Sequence, residues 1–226
     1  MNIAVILASG SSKRMKGINK LFFKIKKKPL IVHTIRVFEA HPQIKKIILV
    51  AKRKNFKKLT DLIKKHKLDK VIKIAEGGKE RQNSAFNGLQ AAEELGAKDK
   101  DIILFHNGAN PLVSESEISS CLRAAKRYGA ALAGQLARDT VKIINGKGEV
   151  LKTLDRRKIF LAQTPQLIEY KLAQKVFIRA FKENFRGTDD VSLVERLGKK
   201  VKIVPCSYKN IKVTTKDDLK TIKAFL

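Results

Sequence analysis

Apolar residues follow one texture over the first 137 residues of the chain and another beyond. In the first part, short unbroken apolar runs alternate with stretches in which apolar residues return every three or four positions. Ile3-Ala4-Val5-Ile6-Leu7-Ala8 contains no polar residue and stops at Ser9-Gly10-Ser11-Ser12, which predicts a strand buried on both faces and closed by a turn. Runs over residues 44–51, 71–75, 102–105 and 130–137 predict further strands. Helical spacing marks residues 29–40, where Leu30, Ile31, Thr34, Ile35, Val37 and Phe38 share a face, and also residues 55–66 and about 81–95. Ser114 with Glu117 makes a capping box that opens a helix running to Tyr128. From Thr140 the texture changes. Val141-Lys142-Ile143-Ile144, the turn Asn145-Gly146-Lys147-Gly148 and Glu149-Val150-Leu151-Lys152-Thr153-Leu154 predict a hairpin. Helices over about 168–184 and 189–197, strands over 201–204 and 211–213, and a closing helix from Lys216 complete the expected order.

Strand and helix alternating in this way imply an α/β fold with a mostly parallel sheet and helices on both faces, and ligands then sit at the carboxyl ends of the strands. Function is therefore expected in the loops after Ala8, after Ala75 and after Phe105. Residues 1–226 are expected to form one domain, since a single α/β core commonly reaches such a length. The hairpin region, about 141–161, is an arm inserted in it. Such an arm packs on a partner subunit or covers its own subunit's site, and the pattern alone allows both.

Composition narrows the class. No apolar run approaches the roughly 20 residues that cross a bilayer, and the start lacks the basic leader and cleavage site of a signal peptide. Cys121 and Cys206 lie far apart without CxxC spacing, which suggests neither a disulfide framework nor a zinc site. A cytoplasmic protein is expected, with no membrane partner. The net charge of +28 is mostly lysine scattered over every segment without interleaved aromatics. That distribution predicts a general attraction for anionic small molecules, not a specific nucleic-acid site.

The loop Ala8-Ser9-Gly10-Ser11-Ser12-Lys13-Arg14-Met15 follows the first strand, where small residues let backbone N–H groups approach phosphate and Arg14 adds a permanent charge. It is neither GxGxxG nor a Walker A sequence, which weakens dehydrogenase and P-loop readings. Together with Asn19-Lys20-Leu21-Phe22, it resembles the nucleotidyltransferase loop of the 2-C-methyl-D-erythritol 4-phosphate cytidylyltransferases. Gly77-Gly78-Lys79-Glu80-Arg81-Gln82-Asn83-Ser84 resembles that family's Gly-Gly-x-x-Arg-x-x-Ser segment. In the same order follow Arg138-Asp139-Thr140-Val141-Lys142, Asp155-Arg156, Gln163-Thr164-Pro165-Gln166, the segment from Thr188 to Glu195, and Asn210-Ile211-Lys212-Val213-Thr214.

The resemblance implies a Rossmann-like fold, a homodimer joined through the arm, and a Mg²⁺-assisted transfer of CMP from CTP to a sugar-alcohol phosphate in isoprenoid precursor synthesis. It assigns Arg14 and Lys20 to the triphosphate as catalytic cations, and Ala8, Ser9, Gly10, Gly77, Gly78 and Ser84 to the nucleotide. Thr140, Arg156, Thr164, Thr188 and Lys212 go to the second substrate, with Arg156 reaching a neighbouring subunit. Two positions depart from the family: Asn107 stands where Asp is usual and Asn110 where Arg is usual, both still expected to line the second substrate's site. Ser12 replaces a usual Gly. Because the two asparagine changes cancel in charge, they read as a paired alteration of one site, and the metal ligands stay unassigned.

Each assignment has a plainer counterpart. Lys20 and Lys212 are two lysines of many, Thr188 with Asp189 forms a helix cap, His106 serves structure as readily as function, and Cys206 packs as a small hydrophobe. A ribitol 5-phosphate cytidylyltransferase shares the expected chemistry, and a non-catalytic polyanion-binding homologue is the alternative of another class.

Overall fold

The first strand, β1 (Asn2–Leu7), sends alternate side chains to opposite faces: Ala4 and Ile6 enter one apolar core, Ile3 and Val5 the other. The protein, seen as a computed structural model, is described over residues 1–10 and 19–226. After β1 a small hairpin, β2 (Lys24–Ile25) with β3 (Lys28–Pro29), leads into α1 (Leu30–Ala40). Then come β4 (Lys46–Ala51), α2 (Phe56–His66), β5 (Val71–Glu76), α3 (Arg81–Glu94), β6 (Ile102–Asn107), α4 (Glu115–Tyr128) and β7 (Ala130–Leu136). β8 (Val141–Ile144) and β9 (Val150–Leu154) pair with each other as the two-stranded arm. The chain returns through β10 (Phe160–Glu169), α5 (Tyr170–Lys182), α6 (Ser192–Arg196), β11 (Lys202–Pro205) and α7 (Lys216–Phe225).

The main sheet has the order β11-β7-β10-β6-β1-β4-β5. β10 runs antiparallel to both β6 and β7, and the other pairings are parallel. Helices α1, α2, α4 and α7 cover one face and α3, α5 and α6 the other. The expected mostly parallel α/β sheet is therefore present, with two differences. No strand was expected over residues 160–169, yet this segment forms an interior strand of the sheet, between β7 and β6. Its register shifts between Ala162 and Gln166, and there the ladder accommodates Pro165. The strand expected over 211–213 does not form: Val213 gives one backbone bond, to Ala109, and the segment stays irregular. The helix expected over 189–197 is limited to α6, and ahead of it the backbone N–H groups of Asp190 and Val191 donate to the Gln166 side chain.

Candidate active site

The ends of β1, β4 and β5 lie side by side, and two backbone bonds pin the following loops to β4: Ala8 N–H donates to Val50 (2.7 Å) and Gly77 N–H to Ala51 (2.9 Å). At Gly77 a Cβ would lie 2.4 Å from the Ser9 Cβ, so the approach of the two loops requires glycine there, and at Gly78 it would lie 2.3 Å from the Asn83 Cβ, so the entry into α3 requires glycine as well. α3 opens beside them with a reciprocal capping box between Glu80 and Asn83. Its Ser84 hydroxyl donates to the Glu80 carbonyl (3.0 Å), accepts from Gly78 N–H (3.1 Å) and lies 3.0 Å from the Ser9 hydroxyl. Ser84 is thus the knot that joins the first-strand loop to the diglycine loop.

Above this floor is a cavity of about 480 Å³, lined by Ser9, Gly10, Gly78 and Ser84 and by the cations Lys20, Lys52, Lys79, Arg81 and Lys212. Among the described residues of that lining Glu80 is the one carboxylate, and it is ion-paired to Arg186. A cavity of this charge selects a polyanion. Lys20 sits in a single helical turn capped by Asn19, and its Nζ donates to the Val213 carbonyl (2.7 Å), which ties the segment carrying Lys212 to this turn.

A second cavity, also about 480 Å³, adjoins the first and shares Arg81, Asn107 and Lys212 with it. Its other walls include Thr164 and Gln163 from β10, Thr188 and Asp189 from the loop before α6, and Tyr208 and Asn210. Asn107 donates from both its backbone N–H and its side-chain amide to the Thr164 hydroxyl, each at 3.3 Å. Asn210 is fully buried and donates to the Thr164 carbonyl (2.8 Å) and the Gln163 amide oxygen (3.3 Å). Its own oxygen accepts from Asn110 (3.4 Å). Asn110 also lines this cavity but is 1% exposed, so its side chain mainly ties the loop after β6 to Asn210. His106 supports the same loop from beneath, its Nε2 lying 2.9 Å from the Asn110 carbonyl; burial pushes its pKa from 6.5 down to about 4.

Of the residues expected from the sequence, Lys20, Ser9, Gly10, Gly78 and Ser84 meet at the first cavity, Thr164, Thr188 and Asn110 at the second, and Asn107 and Lys212 at both. Ala8 and Gly77 hold the floor without lining it. Arg14 falls outside the described residues. Thr140 and Arg156 line neither cavity of their own subunit; they are exposed at the base of the arm, where Arg156 donates to the Arg138 carbonyl (2.6 Å). Lys52, Arg81, Gln163, Asp189 and Tyr208 belong to the lining and were not expected. Lys52 carries no motif, being one lysine among many. Arg81 did stand in the diglycine segment, so its position was readable though its part in the site was not.

The donors fit a protein-built Mg²⁺ site poorly. Among the described residues no three His, Cys, Asp or Glu side chains cluster. The carboxylate of the second cavity, Asp189, is held by the Gln166 amide (2.9 Å) and the Ser192 N–H (2.9 Å). Mg²⁺ prefers a few carboxylates together with substrate phosphates, and here only the phosphates of a ligand could supply most of that set.

Comparison with known proteins agrees with this geometry. The family profile described as IspD, 2-C-methyl-D-erythritol 4-phosphate cytidylyltransferase, matches residues 2–226. A protein of that name from Syntrophus aciditrophicus (strain SB) is 42% identical over 226 residues, which span 99% of this chain and 95% of the relative. One from Caldanaerobacter subterraneus subsp. tengcongensis is 41% identical over 229 residues, 100% of this chain and 99% of the relative. The crystal structure of the Francisella tularensis 2-C-methyl-D-erythritol 4-phosphate cytidylyltransferase superposes with a TM-score of 0.81 at 31% identity, covering 100% of this chain and 99% of that one. That of 4-diphosphocytidyl-2C-methyl-D-erythritol synthase from Anaerococcus prevotii DSM 20548 gives 0.86 at 28%, covering 99% and 95%. Matched along its whole length by the profile and by relatives above 40% identity, the chain belongs to the 2-C-methyl-D-erythritol 4-phosphate cytidylyltransferase family.

Proposed function

We propose that this enzyme joins CTP to 2-C-methyl-D-erythritol 4-phosphate. A phosphate oxygen of the alcohol phosphate bonds to the α-phosphorus of CTP, the bond from that phosphorus to the α,β-bridging oxygen breaks, and pyrophosphate leaves. The observation that carries the reading is the pair of adjoining cavities with a shared wall of Arg81, Asn107 and Lys212. Such a wall lets the two phosphate groups meet between cations. The attacking oxygen is already a nucleophile, so the reaction asks for alignment and for charge placed where charge develops.

In this reading the nucleotide takes the first cavity, its base on the Ser9, Gly78 and Ser84 side and its phosphates toward Lys20 and Lys212, with Arg14 joining them. The alcohol phosphate takes the second, against Asn107, Thr164 and Thr188. Mg²⁺ travels with CTP as part of the substrate. The arm completes the site in a homodimer: Ile143, Ile144, Val150 and Leu151 are 44–64% exposed on it, an apolar surface suited to a second copy. Arg156 and Thr140 then serve the partner's second cavity. The deciding experiment is pyrophosphate release from CTP with methylerythritol phosphate or ribitol 5-phosphate, beside a salt titration of nucleic-acid binding. Turnover with the first alcohol phosphate is expected; turnover only with ribitol 5-phosphate, or none alongside tight polyanion binding, overturns the reading.

A further inference from the structure

Arg81 is the first residue of α3, the end of a helix where a cation is disfavoured by the macrodipole. Its guanidinium is nevertheless held end-on by Asp190, Nη1 to Oδ1 at 2.8 Å and Nη2 to Oδ2 at 2.6 Å, and Asp190 is 1% exposed. A carboxylate so buried needs a partner of this quality. The Arg81 side chain is itself 33% exposed and lines both cavities. Asp190 engages two of the five guanidinium N–H groups, which leaves donors for a ligand.

The surroundings of the pair bind two loops into one body. Gln166 of β10 accepts from the N–H groups of Asp190 (2.8 Å) and Val191 (3.3 Å) and donates to Asp189. Gln82, next to Arg81, donates to the Phe185 carbonyl (3.1 Å) and accepts from Gly187 N–H (2.9 Å), and Glu80 pairs with Arg186. The segment that carries Thr188 is thereby fastened to the turn of α3 that carries Glu80 and Ser84.

We propose that Arg81, clamped by Asp190, is a positioning residue that links the two substrate cavities, so that filling either one orders the guanidinium for the other. This rests on the two-substrate reading above. Linkage requires the effect to be reciprocal, and couplings of this kind are typically about 5- to 150-fold in affinity.

The test measures, by calorimetry, the Kd of a CTP analogue with a methylene group between its α- and β-phosphorus atoms, alone and with saturating methylerythritol phosphate. Wild type is expected to bind the analogue about tenfold more tightly with the second ligand present. In Asp190→Asn that ratio should fall below about threefold while the Kd of the analogue alone stays within about threefold of wild type. If Asp190→Asn does not fold, Arg81→Gln/Asp190→Asn replaces it and is read on the ratio alone, since this variant leaves no buried charge unpaired. A ratio unchanged from wild type, a wild-type ratio of one, or equal weakening with and without the second ligand overturns the proposal. Failure of wild type to bind either ligand instead overturns the two-substrate reading.

Discussion

Acidification from pH 7 to pH 5 should weaken the fold through His106, by an amount that follows from its surroundings. The imidazole is fully buried against Phe38, with its Nε2 engaged by the Asn110 carbonyl and its Nδ1 without a partner among the described residues. A second proton on Nδ1 would therefore be a buried donor with nothing to accept it. Burial lowers the pKa from 6.5 to about 4. Between those values the unfolded chain binds the extra proton and the folded chain does not, so stability is whole above pH 6.5 and is lost as pH falls toward 4. At pH 5 the linkage amounts to about 2 kcal/mol, roughly a 4–8 °C fall in Tm for a chain of this size. The assay is urea unfolding of wild type and His106→Gln at pH 7, 6 and 5. Gln keeps a donor for the Asn110 carbonyl but does not titrate, and contributions from other groups cancel in the difference. The variant should begin less stable and lose about 2 kcal/mol less than wild type over the range. Parallel losses in the two proteins would refute the reasoning.

Lys20→Ala should lower kcat by about 10² to 10³ with a much smaller change in CTP affinity, as should Arg14→Ala, because their charge acts where negative charge develops; steady-state kinetics beside analogue binding separates the two effects. Mixing Arg156→Ala chains with Lys20→Ala chains should restore activity through hybrid sites, and an active, strictly monomeric enzyme in sedimentation would exclude an arm shared between subunits. Asn107→Asp should lower the half-saturating Mg²⁺ at fixed CTP, since a carboxylate adds a hard anionic ligand where the amide adds no charge; an unchanged Mg²⁺ titration would show that this position does not serve the metal.

What the sequence disclosed and what it withheld divide along the range of the interactions. β1, β4 and β6 are continuous apolar runs because helices cover both faces, and such runs are visible locally. β10 carries Gln163, Thr164, Pro165 and Gln166 at its middle, so it lacks the continuous apolar run that marks β1, and Pro165 has no N–H for a ladder. These residues are polar because they serve neighbours distant in sequence: Gln166 holds the loop before α6, and Thr164 meets Asn107 and Asn210. Residues 211–213 misled in the opposite direction, since their apolar alternation reflects single contacts such as that of the buried Val213, without a neighbouring strand. Site residues within short motifs, such as Gly78 and Ser84, were legible. Arg81 was not, because its meaning depends on Asp190, which lies 109 positions away.

The place of β10 also sets the order in which the sheet can be built. β6 pairs with β1 on one side and β10 on the other, and β7 reaches the sheet only through β10. During synthesis at about 5–20 residues per second, roughly 2–7 s separate the completion of β7 from that of β10. For that interval β6 is an open edge, with the N–H and C=O groups on the side away from β1 unpaired, and β7 and its flanking apolar residues wait without a neighbour, as templates for another nascent chain. Mutual repulsion between chains of this strongly basic composition opposes that encounter. The scattered lysines thus act before any substrate is met, opposing the meeting of half-built sheets until the strand between β6 and β7 arrives.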